Sequence, residues 1–271
     1  MEKIGWVKTS EQLPCDTSYS NPRITFDGKY WYVSVGIETE TEEVELSGEV
    51  IGIDVGIKDL AICSNGMKFK NINKTKAMKK REKRLKRLQR QVSRQYEKNK
   101  EENKENSKKN SKENKEKGSH KFVKTNNIVK TEKKIRLLNR RITNVRLNHI
   151  HQATNAIVKT KPSMVVVETL NIKGLMKNKK VSKAFANQKL YEFSRQLEYK
   201  LAKIQSKLIK ADKWFASSQI CNCCGYKYNR EDYDGVHWNL RIREWTCFRC
   251  KTKHDRDENA SQNLRKYGLA V

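Results

Sequence analysis

The sequence Cys221-Asn-Cys-Cys224 is followed by twenty-two residues, by Cys247-Phe-Arg-Cys250, and then by His254-Asp-Arg-Asp-Glu-Asn259. Two Cys-x-x-Cys pairs can hold one tetrahedral Zn²⁺ through four thiolates. This spacing predicts a structural zinc site in an insert over residues 217–253. The acidic residues that follow are candidates for a carboxylate delivered to an active site.

The cysteine content supports a metal site rather than disulfides. The chain has seven cysteines, an odd number, and four of them form the two pairs. This usage is typical of a reducing compartment. Cys223 lies within the first pair and could compete as a ligand, but the Cys-x-x-Cys spacing favours Cys221 and Cys224.

Charge and hydropathy limit the possible partners. The chain has 271 residues and a net charge of +28, and residues 74–150 carry +20 of it, with 28 Lys and Arg against 8 Asp and Glu. A solubilising basic surface is the alternative, but concentrated charge favours a polyanion such as nucleic acid. There is no apolar run long enough to span a bilayer and no signal-peptide pattern after Met1, so we expect a cytoplasmic protein without a membrane partner.

The N-terminal region, residues 1–48, is rich in strand-forming residues. Two such runs, residues 23–26 and 29–37, flank Asp27-Gly28. Asp-Gly between strand formers is a strong β-hairpin signal. The region is too small for a large core of its own.

Two short apolar segments each contain or end in one carboxylate. Asp54 lies within Glu49-Val-Ile-Gly-Ile-Asp54-Val, and Glu168 ends Ser163-Met-Val-Val-Val-Glu168. A lone carboxylate in a core strand is costly unless it is paired or binds a cation. Both residues are therefore candidate site residues, although Asp54 could instead be an exposed cap at a strand end.

Helical periodicity is strongest between these two strands. Residues 76–98 and 124–159 have narrow apolar seams on basic faces, which is typical of an antiparallel helical hairpin. His149 lies on a seam and is more typical of packing than of metal ligation. Residues 99–118 are almost entirely Lys, Glu, Asn and Ser, which predicts a disordered tip. The basic residues proposed to contact nucleic acid are Lys79, Lys80, Arg84, Arg87, Arg140 and Arg141.

The C-terminal part is predicted as a helix over 181–208, an extended stretch over 209–215, the zinc insert, and a helix from about 257. Either Asp255 or Asp257 could cap that last helix. The element order predicts a mixed α/β layer with three acidic residues, Asp54, Glu168 and Asp257, at element ends.

These motifs, in this order, resemble those of the TnpB (OrfB) family of bacterial insertion sequences, which is related to type V CRISPR effector nucleases. Ile51-Gly-Ile-Asp54-Val-Gly-Ile is similar to the first RuvC motif and Val165-Val-Val-Glu168-Thr-Leu-Asn to the second. Trp214-Phe-Ala-Ser-Ser-Gln with the cysteine pairs, and Asp255-Arg-Asp-Glu-Asn, are similar to the zinc insert and the third RuvC motif. The resemblance covers about residues 49–267.

The resemblance implies an α/β, RNase H-like (RuvC) domain over 49–271, with a basic helical insertion at 76–159 and a zinc-ribbon insert with four cysteine ligands. It implies that Asp54, Glu168 and Asp257 bind catalytic Mg²⁺ or Mn²⁺ for DNA cleavage, with Asp255 as the rival third residue. A guide RNA and target DNA are the implied partners.

This sequence differs from the family at its N-terminus. Family members have a longer leader, formed by a wedge domain and a helical recognition domain, which holds the guide RNA. Residues 1–48 would be a β-rich remnant of the wedge, so we expect a shortened member. The alternatives to an active endonuclease are a zinc-containing nucleic-acid-binding protein and an inactive truncated remnant.

Overall fold

The structure, a computed structural model, describes residues 7–14, 16–38, 43–113, 123–170, 172–179, 181–233, 235–239 and 242–271. The side chains of residues 105–113, 172 and 173 are outside this description. The chain divides into two units, residues 1–41 and 42–271. None of the helices in the described ranges combines the length and apolar character needed to cross a membrane.

The first unit contains one antiparallel hairpin, formed by β1 (Tyr19–Phe26) and β2 (Trp31–Ile37). The turn falls at Asp27-Gly28, as predicted. The Asp27 carboxylate accepts hydrogen bonds from the backbone N–H groups of Lys29 and Tyr30, both at 2.9 Å. Gly28 has a φ of 95°, a region that favours glycine.

The second unit is built on a five-stranded sheet in the order β5-β4-β3-β6-β7. The antiparallel half joins β3 to β4 and β4 to β5, and the parallel half joins β3 to β6 and β6 to β7. The strands are β3 (Val50–Val55), β4 (Asp59–Cys63), β5 (Lys68–Lys70), β6 (Met164–Val167) and β7 (Lys207–Lys210).

Within the described residues of this unit, six helices and a small second sheet accompany the main sheet. The helices are α1 (Lys76–Glu113), α2 (Asn126–Lys159), α3 (Ile172–Lys177), α4 (Ser182–Gln188), α5 (Leu190–Lys203) and α6 (Arg256–Ala270). Short 3₁₀ turns occupy Ile72–Lys74 and Glu231–Tyr233. The second sheet pairs β8 (Glu244–Thr246) with β9 (Lys253–Asp255).

Alternate residues of the central strands face two separate cores. Ile51, Ile53 and Val165 face one cluster, where they pack with apolar residues of α2 and α5 such as Ile157 and Phe193. The intervening residues Val50 and Val166 face a second cluster that includes Leu264 of α6. Successive side chains of a strand point to opposite faces, so even-numbered residues of β3 and β6 face α6.

A glycine allows α6 to lie directly on the sheet. A Cβ at Gly52 of β3 would lie 2.1 Å from the Ser261 carbonyl oxygen and 2.3 Å from the Arg265 nitrogen. Real Cβ atoms do not approach backbone atoms this closely, so a side chain at position 52 would push α6 away. This close approach positions the start of α6 beside the end of β3.

The helical hairpin was predicted correctly in type but not in extent. Helix α1 continues to Glu113, beyond its predicted end at residue 98, so residues 99–113 of the expected disordered tip are helical. The buried Asn99 side chain donates a hydrogen bond to the Val123 carbonyl at 2.8 Å, which ties α1 to the segment before α2. Composition alone does not reveal this tertiary contact. The remainder of the expected tip, residues 114–118, lies outside the described residues.

The prediction of one helix over 181–208 was also wrong. The chain breaks between α4 and α5 at Lys189, whose φ is 53°, and reverses again at Gln205, whose φ is 59°. Leu208 then lies in β7 and pairs with Val165 of β6. Its apolar side chain fits the helical pattern and the strand equally well, so periodicity could not separate the two.

Candidate active site and cysteine cluster

Sheet register brings Asp54 and Glu168 together. The parallel strands β3 and β6 align Gly52 with Val166 and Ile53 with Val167. The next residues along the two strands are Asp54 and Glu168. Both have even numbers and therefore share the face covered by α6. Adjacent strands lie about 4.8 Å apart, so neighbouring carboxylates follow directly from the register.

Helix α6 supplies the third carboxylate at its first turn. Asp255 is the N-cap, and its carboxylate accepts hydrogen bonds from the backbone N–H groups of Asp257 and Glu258 at 3.0 and 3.1 Å. Asp257 is instead buried in the first turn. The sequence left both residues open as the cap, and the structure assigns that position to Asp255.

All three predicted residues line one cavity of about 320 Å³. Asp54 comes from β3, Glu168 follows β6 and Asp257 lies in α6. One side of the cavity is formed by apolar residues from the α3–α4 region, including Leu175, Val181 and Phe185. Other lining residues are Gly56, Lys58, Ser217, Ser218, Trp238 and Arg243.

The cavity concentrates negative charge. Burial, followed by the charges of Glu168 and Asp257, raises the pKa of Asp54 well above its usual range. Burial also raises the pKa of Glu168, and the Arg256 charge opposes that shift. Carboxyl groups placed this way are poorly solvated and repel one another, so a bound cation would be favourable there.

Two arginines contact Asp257. The Arg256 guanidinium donates to Asp257 Oδ1 from Nε at 3.1 Å and from Nη2 at 3.0 Å. Arg243 Nη1 lies 3.5 Å from Asp257 Oδ2, and its side chain is about half exposed. Arg243 immediately precedes β8, and its carbonyl accepts a hydrogen bond from the Arg256 N–H at 2.8 Å. The segment with the cysteine pairs thus contributes a cation to the cavity.

The sulfur atoms of Cys221, Cys224, Cys247 and Cys250 converge in a separate cluster, all within 4.8 Å of one another. The Sγ atoms of Cys221 and Cys250 are 3.6 Å apart, and so are those of Cys224 and Cys247. Thiolates about 2.3 Å from a tetrahedral zinc ion would be separated by about 3.8 Å. The donor set and spacing fit one zinc ion.

Two further donors lie beside this cluster. Cys221 Sγ is 3.1 Å from His254 Nε2, and Cys223 forms a second group with these two residues. Cys223 is exposed and bonds to the Asn222 side chain at 3.1 Å. The four residues predicted from the Cys-x-x-Cys spacing form the more complete donor set.

The aromatic residues of this segment, including Trp238 and Trp245, pack on one another. The Tyr228 ring stacks on Tyr233 at 4.1 Å, and Trp238 meets Trp245 edge-on at 5.8 Å. These rings and the cysteines form a small core of their own. Its size makes the contribution of a metal important.

Sequence analysis missed the two arginines at Asp257. Arg256 could have been noticed because it adjoins a predicted site residue. Arg243 is one of 59 Lys and Arg residues, and its role depends on the pairing of β8 with β9. His149, by contrast, behaves as predicted: its Nε2 lies 2.8 Å from the Lys70 carbonyl oxygen in a packing position.

The molecule is therefore a mixed α/β protein with an acidic cleft and a separate four-cysteine cluster. Residues 191–264 match the family described as "Cas12f1-like, TNB domain". Residues 32–116 match the OrfB family of IS605, described as "Probable transposase".

Curated relatives extend these matches. A protein of Streptomyces pristinaespiralis, named "Putative RNA-guided DNA endonuclease", is 32% identical over 241 residues, covering 89% of this chain and 50% of the relative. InsQ of Escherichia coli K12, which carries the same description, is 26% identical over 287 residues and covers 100% of this chain and 62% of the relative. The chain thus spans half to about three fifths of the length of these relatives.

A solved structure shares the fold. The Cas12f1 chain in a complex with sgRNA and target DNA superposes with a TM-score of 0.51 at 15% identity, covering 91% of this chain and 56% of that chain. This likeness shows the fold, and the sequence matches place the chain in the TnpB (OrfB) family.

Proposed function

We propose that this chain is a TnpB-like endonuclease that cuts DNA by metal-dependent phosphodiester hydrolysis, guided by an RNA. Its residues 49–271 would form an RNase H-like (RuvC) domain with Asp54, Glu168 and Asp257 as the catalytic carboxylates. The observation that carries the proposal is the convergence of these three residues, from distant parts of the sequence, on one cavity.

The donor chemistry fits hard divalent cations. Carboxylate oxygens are the ligands that Mg²⁺ and Mn²⁺ prefer. Burial raises the pKa values of both Asp54 and Glu168, and the charges of Glu168 and Asp257 raise the pKa of Asp54 further, so a bound cation would favour the ionised carboxylates. Asp54, Glu168 and Asp257 would hold such ions, which would supply activation of the attacking water and stabilisation of the leaving oxygen.

The remaining roles belong to side chains of the chain itself. Asp54 and Glu168 are held by adjacent strands, so their separation is set by the sheet. Asp255 caps α6 and thereby fixes the first turn that carries Asp257. Arg243 is half exposed at Asp257 and can bind a phosphate oxygen of the DNA backbone. The α3–α4 side chains restrict water at one side of the cavity.

The cysteine cluster would hold a structural zinc ion. Four thiolates leave no open coordination position, so zinc would stabilise the insert rather than take part in hydrolysis. Through β8 and β9, the same insert orients Arg243 and the start of α6. We infer that the metal supports the active site indirectly, by keeping this small sheet in place.

The helical hairpin formed by α1 and α2 is the proposed nucleic-acid-binding surface. Lys79, Lys80, Arg84 and Arg87 are exposed along α1, and Arg141 is exposed on α2, whereas Arg140 is partly buried. Binding through these side chains would weaken with salt, by about 0.9 in the log–log slope for each duplex phosphate contact. DNA and a guide RNA are the proposed partners, as the names of the relatives indicate for those proteins.

The deciding experiment compares carboxylate variants in a cleavage assay. The chain is purified with the RNA that accompanies it, that RNA is sequenced, and DNA carrying the matching target is added with Mg²⁺ or Mn²⁺. We expect cleavage by the wild type and none by Asp54→Ala, Glu168→Ala or Asp257→Ala. Asp255→Asn is the matched control, because asparagine also caps helices and should leave cleavage largely intact.

Two outcomes would contradict this proposal. Equal cleavage by the wild type and Asp54→Ala would show that the assigned carboxylates are not the catalytic site. Tight, salt-sensitive binding that persists in Glu168→Ala, with no cleavage by the wild type in any divalent metal, would favour a zinc-containing nucleic-acid-binding protein.

A further inference from the structure

Trp214 is the most exposed aromatic residue in the described part of the chain. It lies in the turn that follows β7, and 82% of its surface is accessible. Large aromatic residues usually bury most of their surface, so such exposure favours a binding role. None of the roles proposed above uses this side chain.

The turn that presents Trp214 is firmly held. The Trp214 N–H donates to Asp212 Oδ1 at 2.7 Å, and the Phe215 N–H donates to the Asp212 carbonyl at 3.0 Å. On one side, the Thr169 hydroxyl donates to the Ala211 carbonyl at 2.5 Å. On the other, the Phe215 ring packs on Tyr267 of α6, with centroids 4.9 Å apart. The exposed indole is therefore a preorganised feature rather than a loose loop residue.

The turn also leads directly into the cavity wall. Ser217 and Ser218, which line the cavity with the three carboxylates, follow Trp214 by three and four residues. Three residues span at most about 11 Å of chain, so the indole stands close to the cavity. The Asn263 side chain of α6 donates to the Ser217 carbonyl at 2.7 Å and fixes this distance.

The local charge suits a nucleic acid strand. Lys213 Nζ lies 4.9 Å from the centroid of the Trp214 ring, and Lys210 is exposed at the end of β7. The one acidic group within this turn, Asp212, already accepts the Trp214 N–H. An exposed indole between flanking cations is the arrangement that binds single strands, because bases stack on the ring while ammonium groups contact phosphates.

We propose that Trp214 stacks on a base of the single-stranded DNA that enters the cleft, and so holds the strand next to the carboxylates. The assignment of DNA as the strand rests on the proposed nuclease function. The stacking itself depends only on the exposed ring, its rigid turn and its cationic neighbours.

The test measures base-dependent binding without cleavage. In buffer without added Mg²⁺ or Mn²⁺ and without chelator, so that the zinc site stays intact, a fluorescent short oligothymidylate is compared with an abasic oligonucleotide of the same length and charge, using anisotropy. We expect the wild type to prefer the thymidylate about ten-fold, within the range of a base–aromatic stack. Trp214→Ala should bind both oligonucleotides almost equally, and Trp214→Phe should retain most of the preference.

The matched control is Tyr191→Ala. Tyr191 is 71% exposed on α5 and is not among the residues that line the cavity, so this variant should keep the wild-type preference. The salt slope should be unchanged in Trp214→Ala, because the phosphate contacts remain.

Several results would overturn the inference. One is a Trp214→Ala variant whose preference for thymidylate over the abasic oligonucleotide is undiminished. Another is a Trp214→Phe variant that loses as much of this preference as Trp214→Ala, which would indicate a structural role. A Trp214-dependent preference seen with oligouridylate but not with oligothymidylate would reject DNA as the strand. The assay measures binding alone and contains no added Mg²⁺ or Mn²⁺. The binding result therefore stands even if the wild-type chain proves unable to cleave DNA.

Discussion

The acidic cleft and the cysteine cluster both gather side chains of one chemical type, but the chain builds them differently. The cleft takes Asp54, Glu168 and Asp257 from positions more than 80 residues apart, on a sheet whose cores exist without any ion. The cluster takes four cysteines from residues 221–250 and packs them against a few aromatic rings. Under the proposed function, a cation in the cleft would serve catalysis, whereas a cation in the cluster would hold the insert in shape.

This contrast predicts that metal loss unfolds the insert but leaves the sheet around the cleft folded. The largest effect is expected at the cysteine cluster. Cys247→Ser should abolish zinc binding and unfold the insert, because structural zinc contributes about 10–16 kcal/mol in small zinc domains. Zinc content by elemental analysis and protease sensitivity near residue 235 would measure this. Cys223→Ser is the control and should keep one zinc per chain. Full zinc content in Cys247→Ser would show that Cys223 and His254 can replace the lost ligand.

The next effect tests whether the two regions are coupled. Arg243→Ala should lower the cleavage rate by about 10²-fold, the scale of losing one charged donor to a reacting phosphate, with zinc content unchanged. Arg243→Lys should recover part of the loss. Arg249→Ala removes the same charge from an exposed position of the insert and should have little effect. Equal cleavage rates for Arg243→Ala and the wild type would show that the insert does not contribute to cleavage through Arg243.

A smaller effect is expected on the stability of the cleft, which should stay folded when its catalytic metal is absent. Because the folded-state pKa of Asp54 is raised, the metal-free protein loses stability as pH rises above about 4. Asp54→Asn removes this penalty, so its Tm should exceed that of the wild type at pH 7 in buffer without added Mg²⁺ or Mn²⁺, which leaves the zinc site intact. The difference should disappear near pH 4. Each kcal/mol corresponds to about 2–4 °C in a chain of this size.

The opposite sign would contradict the electrostatic account of the cleft. If Asp54→Asn melts below the wild type at pH 7 without added Mg²⁺ or Mn²⁺, then the Asp54 carboxylate is stabilised by its surroundings and does not need a cation. Added Mg²⁺ should raise the Tm of the wild type more than that of the variant, which provides an internal check.

The smallest effects are expected for the surface ion pairs of each region. Lys68 pairs with Glu258 between β5 and α6, and Lys253 pairs with Glu244 across the small sheet at 2.6 Å. All four side chains are more than half exposed, so each pair should contribute about 0–1 kcal/mol. Lys68→Met and Lys253→Met should each change the Tm by no more than about 4 °C. A larger loss for Lys253→Met would mean that the small sheet relies on this pair as well as on zinc.

The sequence by itself determined the parts that depend on local patterns. The Cys-x-x-Cys spacing identified all four residues of the cluster, and Asp-Gly identified the hairpin turn. Short, nearly continuous apolar runs over Val50–Val55 and Met164–Val167 predicted two buried strands. These features follow from neighbouring residues and from the fixed periods of strands and turns.

Only the tertiary structure decided which distant residues meet. The register of β3 against β6 put Asp54 beside Glu168, and the contact of α6 at Gly52 brought Asp257 to the same face while Asp255 became the cap. Tertiary contacts also tied α1 at Asn99 to the segment before α2 and brought Arg243 to Asp257, and the predicted helix was divided at Lys189. Each of these outcomes depends on contacts between residues far apart in the chain, whose free energy can exceed the weak local preferences that a sequence pattern expresses.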